Sequence, residues 1–415
     1  MRDASSRGEF ASGWPILAGS ILGIATGVAA LPGPAIGVVM RDLQVEFGWT
    51  RAEIAAGPAI LVGLLGIVSP ALGWIADRIR PSLICGSGLA VLALMLLLFS
   101  RLGPNLAFYY AACAGMAILA SGAGTLPYAR AISRAFDRRR GTALGLATIG
   151  TGFAAMLLPA LLAPFAAAYG WRRGFLVLAA IVAVAAPLVW WLLSRPLNAA
   201  MDRSDGRGAP IRLILRDPLF WLLAVSFVLV PLGVGGLQLH FVAYLGDAGF
   251  DPATAGRVAG LAGLFMIVGR IGTGWLIDRF FAPFIAAAAM AISSLCVALM
   301  LGAGARAAAL GAVAIGLANG AEIDLIGYFT ARYFGLRAFG RIYGILYAVY
   351  VLGASASVWI YGRIYDTTGR YDAALEIAVT ALALSALLFI VLARVDRRQV
   401  LRLAAEQYDS LPPTD

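Results

Sequence analysis

The chain has 415 residues, 61% of them hydrophobic and 13% charged, with a mean hydropathy of +0.86; a soluble domain is about 45–50% apolar and about 25% charged, and a single globular core stops growing near about 250–300 residues. The net charge is +10 and all 32 basic residues are arginine, but they lie scattered between apolar runs rather than in one patch, which excludes a nucleic-acid-binding face and makes lipid the solvent. Those runs show none of the alternation of barrel strands, so they are helices, which satisfy their own backbone in a bilayer.

A helix needs about twenty apolar residues to cross the bilayer. In chain order the candidate spans are 14–40, 53–76, 82–100, 105–130, 141–168, 174–194, 218–245, 254–277, 281–303, 307–331, 340–362 and 373–393. The first thirteen residues carry charges of both signs and no cleavage site, so 14–40 reads as a spanning helix and not as a removed signal peptide. Thr50-Arg51-Ala52-Glu53 and Asp251-Pro252 read as helix caps, and Gly145, Gly150 and Gly152 of the fifth span suit close helix packing. Cys85, Cys113 and Cys296 sit in apolar runs without CxxC spacing; they read as packing residues, and no disulfide, metal site or cofactor is expected. The longest polar interruption is 195–217, whose end, IRLILRD, suits a short helix on the membrane surface. The expected organisation is a six-helix bundle over 14–194, a cytoplasmic linker over 195–217, a second bundle over 218–393 and a cytoplasmic tail over 394–415. The fold class is thus an all-α membrane protein with twelve transmembrane helices in two pseudo-symmetric six-helix bundles.

With the N-terminus inside, 22 arginines fall on the cytoplasmic side. Nine fall on the other, namely Arg41, Arg51, Arg101, Arg172, Arg173, Arg257, Arg306, Arg363 and Arg370, and Arg270 lies within a span. Cytoplasmic loops retain positive charge, so both termini are expected in the cytoplasm. Abundant Arg, Ala and Gly without lysine is associated with GC-rich bacterial genomes, and the expected location is a bacterial inner membrane.

The halves repeat. Gly73-Trp74-Ile75-Ala76-Asp77-Arg78 closes the second span and Gly274-Trp275-Leu276-Ile277-Asp278-Arg279 closes the eighth, 201 residues later. Phe136-Asp137-Arg138-Arg139-Arg140-Gly141 is echoed, slightly out of step, by Phe334-Gly335-Leu336-Arg337-Ala338-Phe339-Gly340. Parallel six-helix halves place a substrate site near the bilayer midplane between them. The twice-used GxxxDR resembles the loop signature of the major facilitator superfamily. That resemblance implies an alternating-access carrier in which Gly73, Asp77, Arg78, Gly274, Asp278 and Arg279 latch the halves in the outward-facing state. Residues 136–147 and Arg270-Ile271-Gly272-Thr273-Gly274 are similar to the monocarboxylate transporter and oxalate/formate antiporter branch. The chain departs from that branch at Met266, where an acid is frequent, and in lacking a lysine in its first or eleventh span.

A charge at bilayer depth is costly and marks a functional site by default. Arg270 lies about 12 Å from the cytoplasmic end of its span at 1.5 Å per residue. Its planar fork suits a carboxylate-bearing substrate, and the competing reading is a structural ion pair with a neighbouring helix. Glu322 and Asp324 lie at a similar depth, about 200° apart around the tenth span, with Asn319 on the side of Glu322. Arg270 and Asn319 are therefore expected to bind substrate, and Tyr128 joins them by resemblance. Glu322 or Asp324 is expected to carry a proton; the alternative is that both fix the tenth span to basic neighbours. Tyr347 and Tyr350 are further candidates for a cavity face. His240, the only histidine, falls near the outer mouth with no ligand partner in sequence, a poor metal site.

No Walker loop, HExxH or GxSxG is present, which argues against an enzyme. The expected activity is secondary transport of a small organic carboxylate, proton-coupled, by a monomer in the lipid bilayer without nucleic-acid partners. The alternative is an efflux carrier for lipophilic or drug-like compounds.

Overall fold

A computed structural model gives an all-helical architecture across the described residues, 2–136, 140–195, 216–277, 279–334 and 339–409. Side chains are described for these residues apart from 2–9, 70, 73, 76, 77, 140, 141, 323, 324, 331, 339–341 and 396–409. The first half holds α1 (Arg2–Ala25), α2 (Pro32–Val38), α3 (Met40–Phe47), α4 (Arg51–Arg78), α5 (Pro81–Phe99), α6 (Leu106–Leu119), α7 (Thr125–Ala135), α8 (Arg140–Tyr169) and α9 (Trp171–Leu193). The second half holds α10 (Pro218–Asp247), α11 (Pro252–Ile277), α12 (Ala282–Ala303), α13 (Ala308–Phe334), α14 (Phe339–Thr368) and α15 (Asp372–Asp409). Among the described residues nine stretches are long and apolar enough to cross a membrane, one of them, 282–334, containing both α12 and α13. With the shorter apolar helices Phe10–Ala25 and Leu106–Leu119 they account for twelve crossings. The chain is a multi-pass membrane protein. The linker residues 196–215, including most of the IRLILRD segment, lie outside the described residues.

Buried apolar side chains gather in two clusters, one drawn mainly from Ile16 to Leu193 and one from Phe220 to Leu392. Polar caps set the helix starts. Thr50 and Glu53 form a reciprocal capping box on α4, and Asp217 caps α10 with Pro218 in its first turn. At one end of the bundle, five connections turn on a glycine of positive φ, from Gly48 (71°) to Gly369 (70°). This is the arginine-poor end.

Two spans that read as continuous are broken. The first splits between α1 and α2 at 26–31, and the fourth between α6 and α7 at 120–124. The breaks meet inside the first half. The Val28 amide donates to the Ala123 carbonyl (3.4 Å), and a Cβ on Gly122 would stand 2.5 Å from the Ile84 carbonyl oxygen on α5. Irregular backbone at bilayer depth is tolerated where protein buries it, and these glycines let three backbones touch.

The halves meet along two long helix pairs, and at the arginine-poor side α2 also packs on α10, Gly37 against Leu239. Helix α4 crosses α14, from Ala52 against Gly362 to Gly66 against Val351. Helix α8 crosses α11, from Pro159 against Gly256, through Met156 against Gly260 and Gly152 against Gly263, to Thr148 against Arg270. Glycines at four-residue spacing bring backbones together. On its other face α11 packs on Gly316 and Gly320 of α13, where a Cβ on Gly320 would lie 2.5 Å from the Met266 carbonyl oxygen. Towards the arginine-rich end, Gly145 on α8 and Gly272 and Gly274 on α11 face open space. The seam is closed at the arginine-poor end.

Candidate functional site

Arg270 is held at the seam because α11 is clamped between α8 and α13 by these glycine contacts. It is buried, with 4% of its surface exposed. Its Nη1 donates to the Thr148 carbonyl at 2.6 Å and to the Thr151 hydroxyl at 3.3 Å, both on α8 of the other half. The Thr148 carbonyl also accepts the Thr151 hydroxyl at 2.7 Å, so two donors converge on one oxygen. Hydrogen bonds to a charged group are worth about 1.5–3 kcal/mol each, and both of these are made between halves that must separate if the seam opens.

On α13, Glu322 is buried to 1% exposure. Neither of its carboxyl oxygens completes a well-aligned hydrogen bond. The Tyr350 phenol of α14 is its polar neighbour and lies within electrostatic reach of Arg270 as well. Tyr350 stacks along α14 on Tyr347 (6.0 Å between centroids, 24° between planes), and Tyr347 on Tyr343 (6.1 Å, 6°). Asn319, one turn before Glu322, donates from Nδ2 to Gln238 Oε1 on α10 at 3.0 Å. A cavity of about 30 Å³ lies above this pair, lined in part by Pro34, Pro159, Gln238 and Ile315. It has room for one or two waters.

Arg270 and Glu322 therefore converge on the interface of α8, α11, α13 and α14, while Asn319, on α13, is tied to α10. The Asp324 side chain lies outside the described residues. Tyr128 is elsewhere: it is fully buried in the first half, its ring against Gly23 of α1 and its hydroxyl beside Cys85 of α5. Of the repeated loop residues, the surroundings of Gly73, the Asp77 side chain and all of Asp278 are outside what is described. Arg78 folds over Trp74 (3.7 Å to the ring centroid) and Arg279 over Trp275 (4.1 Å), each with Nη1 bonded to that tryptophan's carbonyl. The arginine–tryptophan pair of each motif thus takes the same arrangement.

The sequence reading missed one group altogether. Arg51, assigned to a loop, is 2% exposed and bridges the halves at the arginine-poor end. It binds Asp247 of α10 through Nη1 and Nη2 (2.6 and 2.8 Å), the Tyr371 hydroxyl through Nη1 (2.6 Å) and Gln44 through Nε (3.0 Å). Its plane stacks on Tyr365 at 3.6 Å. The Asp366 carboxylate accepts the backbone amides of Arg51 and Ala52 at 2.9 and 2.8 Å, so an acid of one half caps a helix of the other. His240, which sequence placed near the outer mouth, joins the same cluster through Tyr371 at 3.0 Å.

The sequence matches the family described as Major Facilitator Superfamily over residues 17–358. It is similar to Monocarboxylate transporter 13 of Bos taurus, 28% identical over 360 residues that span 82% of this chain and 80% of that one. It is also similar to Monocarboxylate transporter 11 of Mus musculus, 27% identical over 257 residues, 60% of this chain and 56% of that one. The fold resembles the crystal structure of a bacterial homolog to the human lysosomal transporter Spinster, inward-facing and occupied, with a TM-score of 0.68, 16% identity and coverage of 92% of this chain and 96% of that one. At that identity the structural likeness speaks for fold alone. A family match across most of the chain, on two helical bundles joined at a polar seam, identifies a transporter and not an enzyme: the chain belongs to the major facilitator superfamily.

Proposed function

We propose that the protein is a secondary transporter for a small organic carboxylate, working as a monomer in a bacterial inner membrane with both termini in the cytoplasm. The observation that carries this reading is Arg270, a guanidinium buried where the halves meet and bonded across the seam to α8. A bound carboxylate takes over the donors that Arg270 now spends on Thr148 and Thr151, with a planar fork that matches it bidentately. The halves are thereby freed from one cross-seam tie only when substrate is present. That is how binding energy becomes a conformational change. Similarity to monocarboxylate transporters supports the substrate class. Asn319, tied to Gln238, adds a neutral hydrogen-bonding contact. With the arginine-poor end outside, the present state opens to the cytoplasm.

Glu322 is the proton carrier in this scheme. An ionised carboxylate buried this deeply costs several kcal/mol, and loading a proton removes that cost. The Tyr350 phenol links the acid to Arg270, so neutralising the substrate's charge at the arginine is felt at the acid. The test uses the purified full-length protein. A thermal-shift screen of small organic acids should yield stabilising hits that vanish in Arg270→Ala. In proteoliposomes Glu322→Gln should exchange the hit acid but lose accumulation driven by a proton gradient. Hits that persist without Arg270 sink the substrate site, and normal accumulation by Glu322→Gln sinks the proton assignment.

A further inference from the structure

The cluster around Arg51 holds a hydrogen-bond relay whose direction the geometry fixes. The Val358 carbonyl on α14 can only accept, and His240 Nε2 lies 3.0 Å from it, so Nε2 carries the ring proton. In the neutral ring Nδ1 is then bare and accepts the Tyr371 hydroxyl at 3.0 Å. Having donated its only proton, the Tyr371 oxygen accepts the Arg51 Nη1 proton at 2.6 Å. The relay therefore runs from Arg51 of the first half through Tyr371 to His240 and on to the backbone of α14, every donor matched to one acceptor.

We infer that His240 is a proton-binding site that releases the closed gate at the arginine-poor end. A second proton has one place to go, Nδ1. Once it is there, the ring can no longer accept from Tyr371. The tyrosine oxygen would face two N–H donors, and its own proton would lose its acceptor. A second cation would also stand in the same buried cluster as the Arg51 guanidinium. The charged groups facing the ring are Arg51 from α4 and Asp366 from α14. Both ride on the seam: Asp366 is engaged with the amides of Arg51 and Ala52, and Arg51 with Asp247, which Arg41 also approaches at 3.6 Å. The aromatic rings packed on the imidazole are Tyr361 and Tyr371, at 6.4 and 5.5 Å between centroids. Withdrawal of α4 takes Arg51 away from the ring and leaves Asp366 behind, so the open gate binds the proton more tightly than the closed one. By reciprocity, the proton favours opening. This site is distinct from Glu322 and independent of which substrate Arg270 takes.

His240 is the only histidine in the chain, so the idea can be read without assignment ambiguity on full-length protein purified through a tag free of histidine. The imidazole carbon–proton resonance is followed from pH 8 to pH 4 while a spin-label distance across the gate is measured, with labels at Asn105→Cys and Arg306→Cys; the native cysteines are buried. As pH falls, the resonance should titrate, and the ratio of long to short distances should rise roughly fivefold or more, with the same midpoint. In His240→Gln, which keeps one donor and one acceptor but takes no second proton, the short distance should persist throughout. Tyr371→Phe, which leaves the histidine in place but cuts the relay, should already show the long distance near pH 8. An imidazole that does not titrate, a distance that ignores pH, an unchanged pH response in His240→Gln, or a Tyr371→Phe gate as closed as the native one each overturns the inference.

Discussion

Among the described residues two buried arginines, Arg51 and Arg270, reach across the seam, and their partners on the far side differ in charge. Arg51 is saturated by its surroundings: an acid paired through two nitrogens, a phenol, an amide oxygen and an aromatic ring beneath its plane. The hydrogen bonds that Arg270 sends across the seam go instead to a backbone carbonyl and a threonine hydroxyl. A cation locked to a charged partner of the other half stabilises one conformation. A cation whose cross-seam partners are neutral can exchange them for an anion at little net cost. The first arrangement suits a gate and the second a ligand site.

The comparison can be broken most severely at Arg270. Replacing it with lysine keeps the charge but removes the fork, so substrate binding should weaken by about 2–3 kcal/mol, and initial uptake should fall on the order of a hundredfold at fixed substrate. Wild-type uptake in Arg270→Lys would show that charge alone suffices and that the cross-seam geometry is incidental. At Arg51 the expected loss is conformational. Arg51→Gln removes the pair with Asp247, whose carboxylate is partly exposed, so the cost is nearer about 2 kcal/mol than the 3–5 of a fully buried pair. That shifts the closed-to-open ratio roughly thirtyfold, measurable by the same spin labels, while equilibrium binding to the open form persists. A gate that stays closed in Arg51→Gln would make the network ornamental.

Gly263 and Gly320 sharpen the contrast between a seam and a core. A Cβ on Gly263 meets α8 backbone at 2.5 Å from the Gly152 oxygen, a clash that exists only while the halves are zipped. A Cβ on Gly320 meets the Met266 oxygen at 2.5 Å within the second half, whatever the gate does. Overpacking costs about 1–3 kcal/mol. Gly263→Ala should therefore populate the open gate about tenfold more with little loss of thermal stability, and Gly320→Ala should lose stability in every state. Equal thermal losses in both variants would mean that α8 and α11 never part.

The architecture was legible because lipid imposes a coarse code: runs of about twenty apolar residues, arginines sorted by side, and a motif repeated 201 residues apart. Arg270 and Glu322 were legible for the same reason, as charges where the code allows none. Arg51 was not. It sits in the first turn of its span among residues that satisfy a capping box, and it was counted with the loop arginines. Its partners Asp247, Asp366 and Tyr371 lie 196, 315 and 320 positions away, a separation no local spacing encodes. The breaks at 26–31 and 120–124 stayed hidden because glycine is everywhere in this chain, 49 times. Only the meeting of Gly88 with Ala123 and of Gly122 with Ile84 decides which glycines interrupt a helix.

The smallest expected effect lies away from the seam, in the turn that seats α3 on the first half. Glu46 accepts the Trp171 indole N–H and the Arg172 guanidinium, both at 2.7 Å. Partial burial pushes its carboxyl group up, but these hydrogen bonds and the Arg172 charge outweigh that and hold it below the usual carboxylate range. A group lowered in the folded state stabilises above its unfolded value, and that contribution fades as pH falls through the folded one. Exposure and solvent screening keep it small, about 0.2–1 kcal/mol. Glu46→Gln should thus lower the melting temperature by about 1–2 °C at pH 7, with the gap to wild type closing as the pH is taken down through the carboxylate range. Because both partners belong to the first half, the gate distance should not change. A shift of that distance in Glu46→Gln would mean that the α3 turn is coupled to the Arg51 cluster, through Gln44 on the same helix, and that the gate extends further into the first half than its own hydrogen bonds reach.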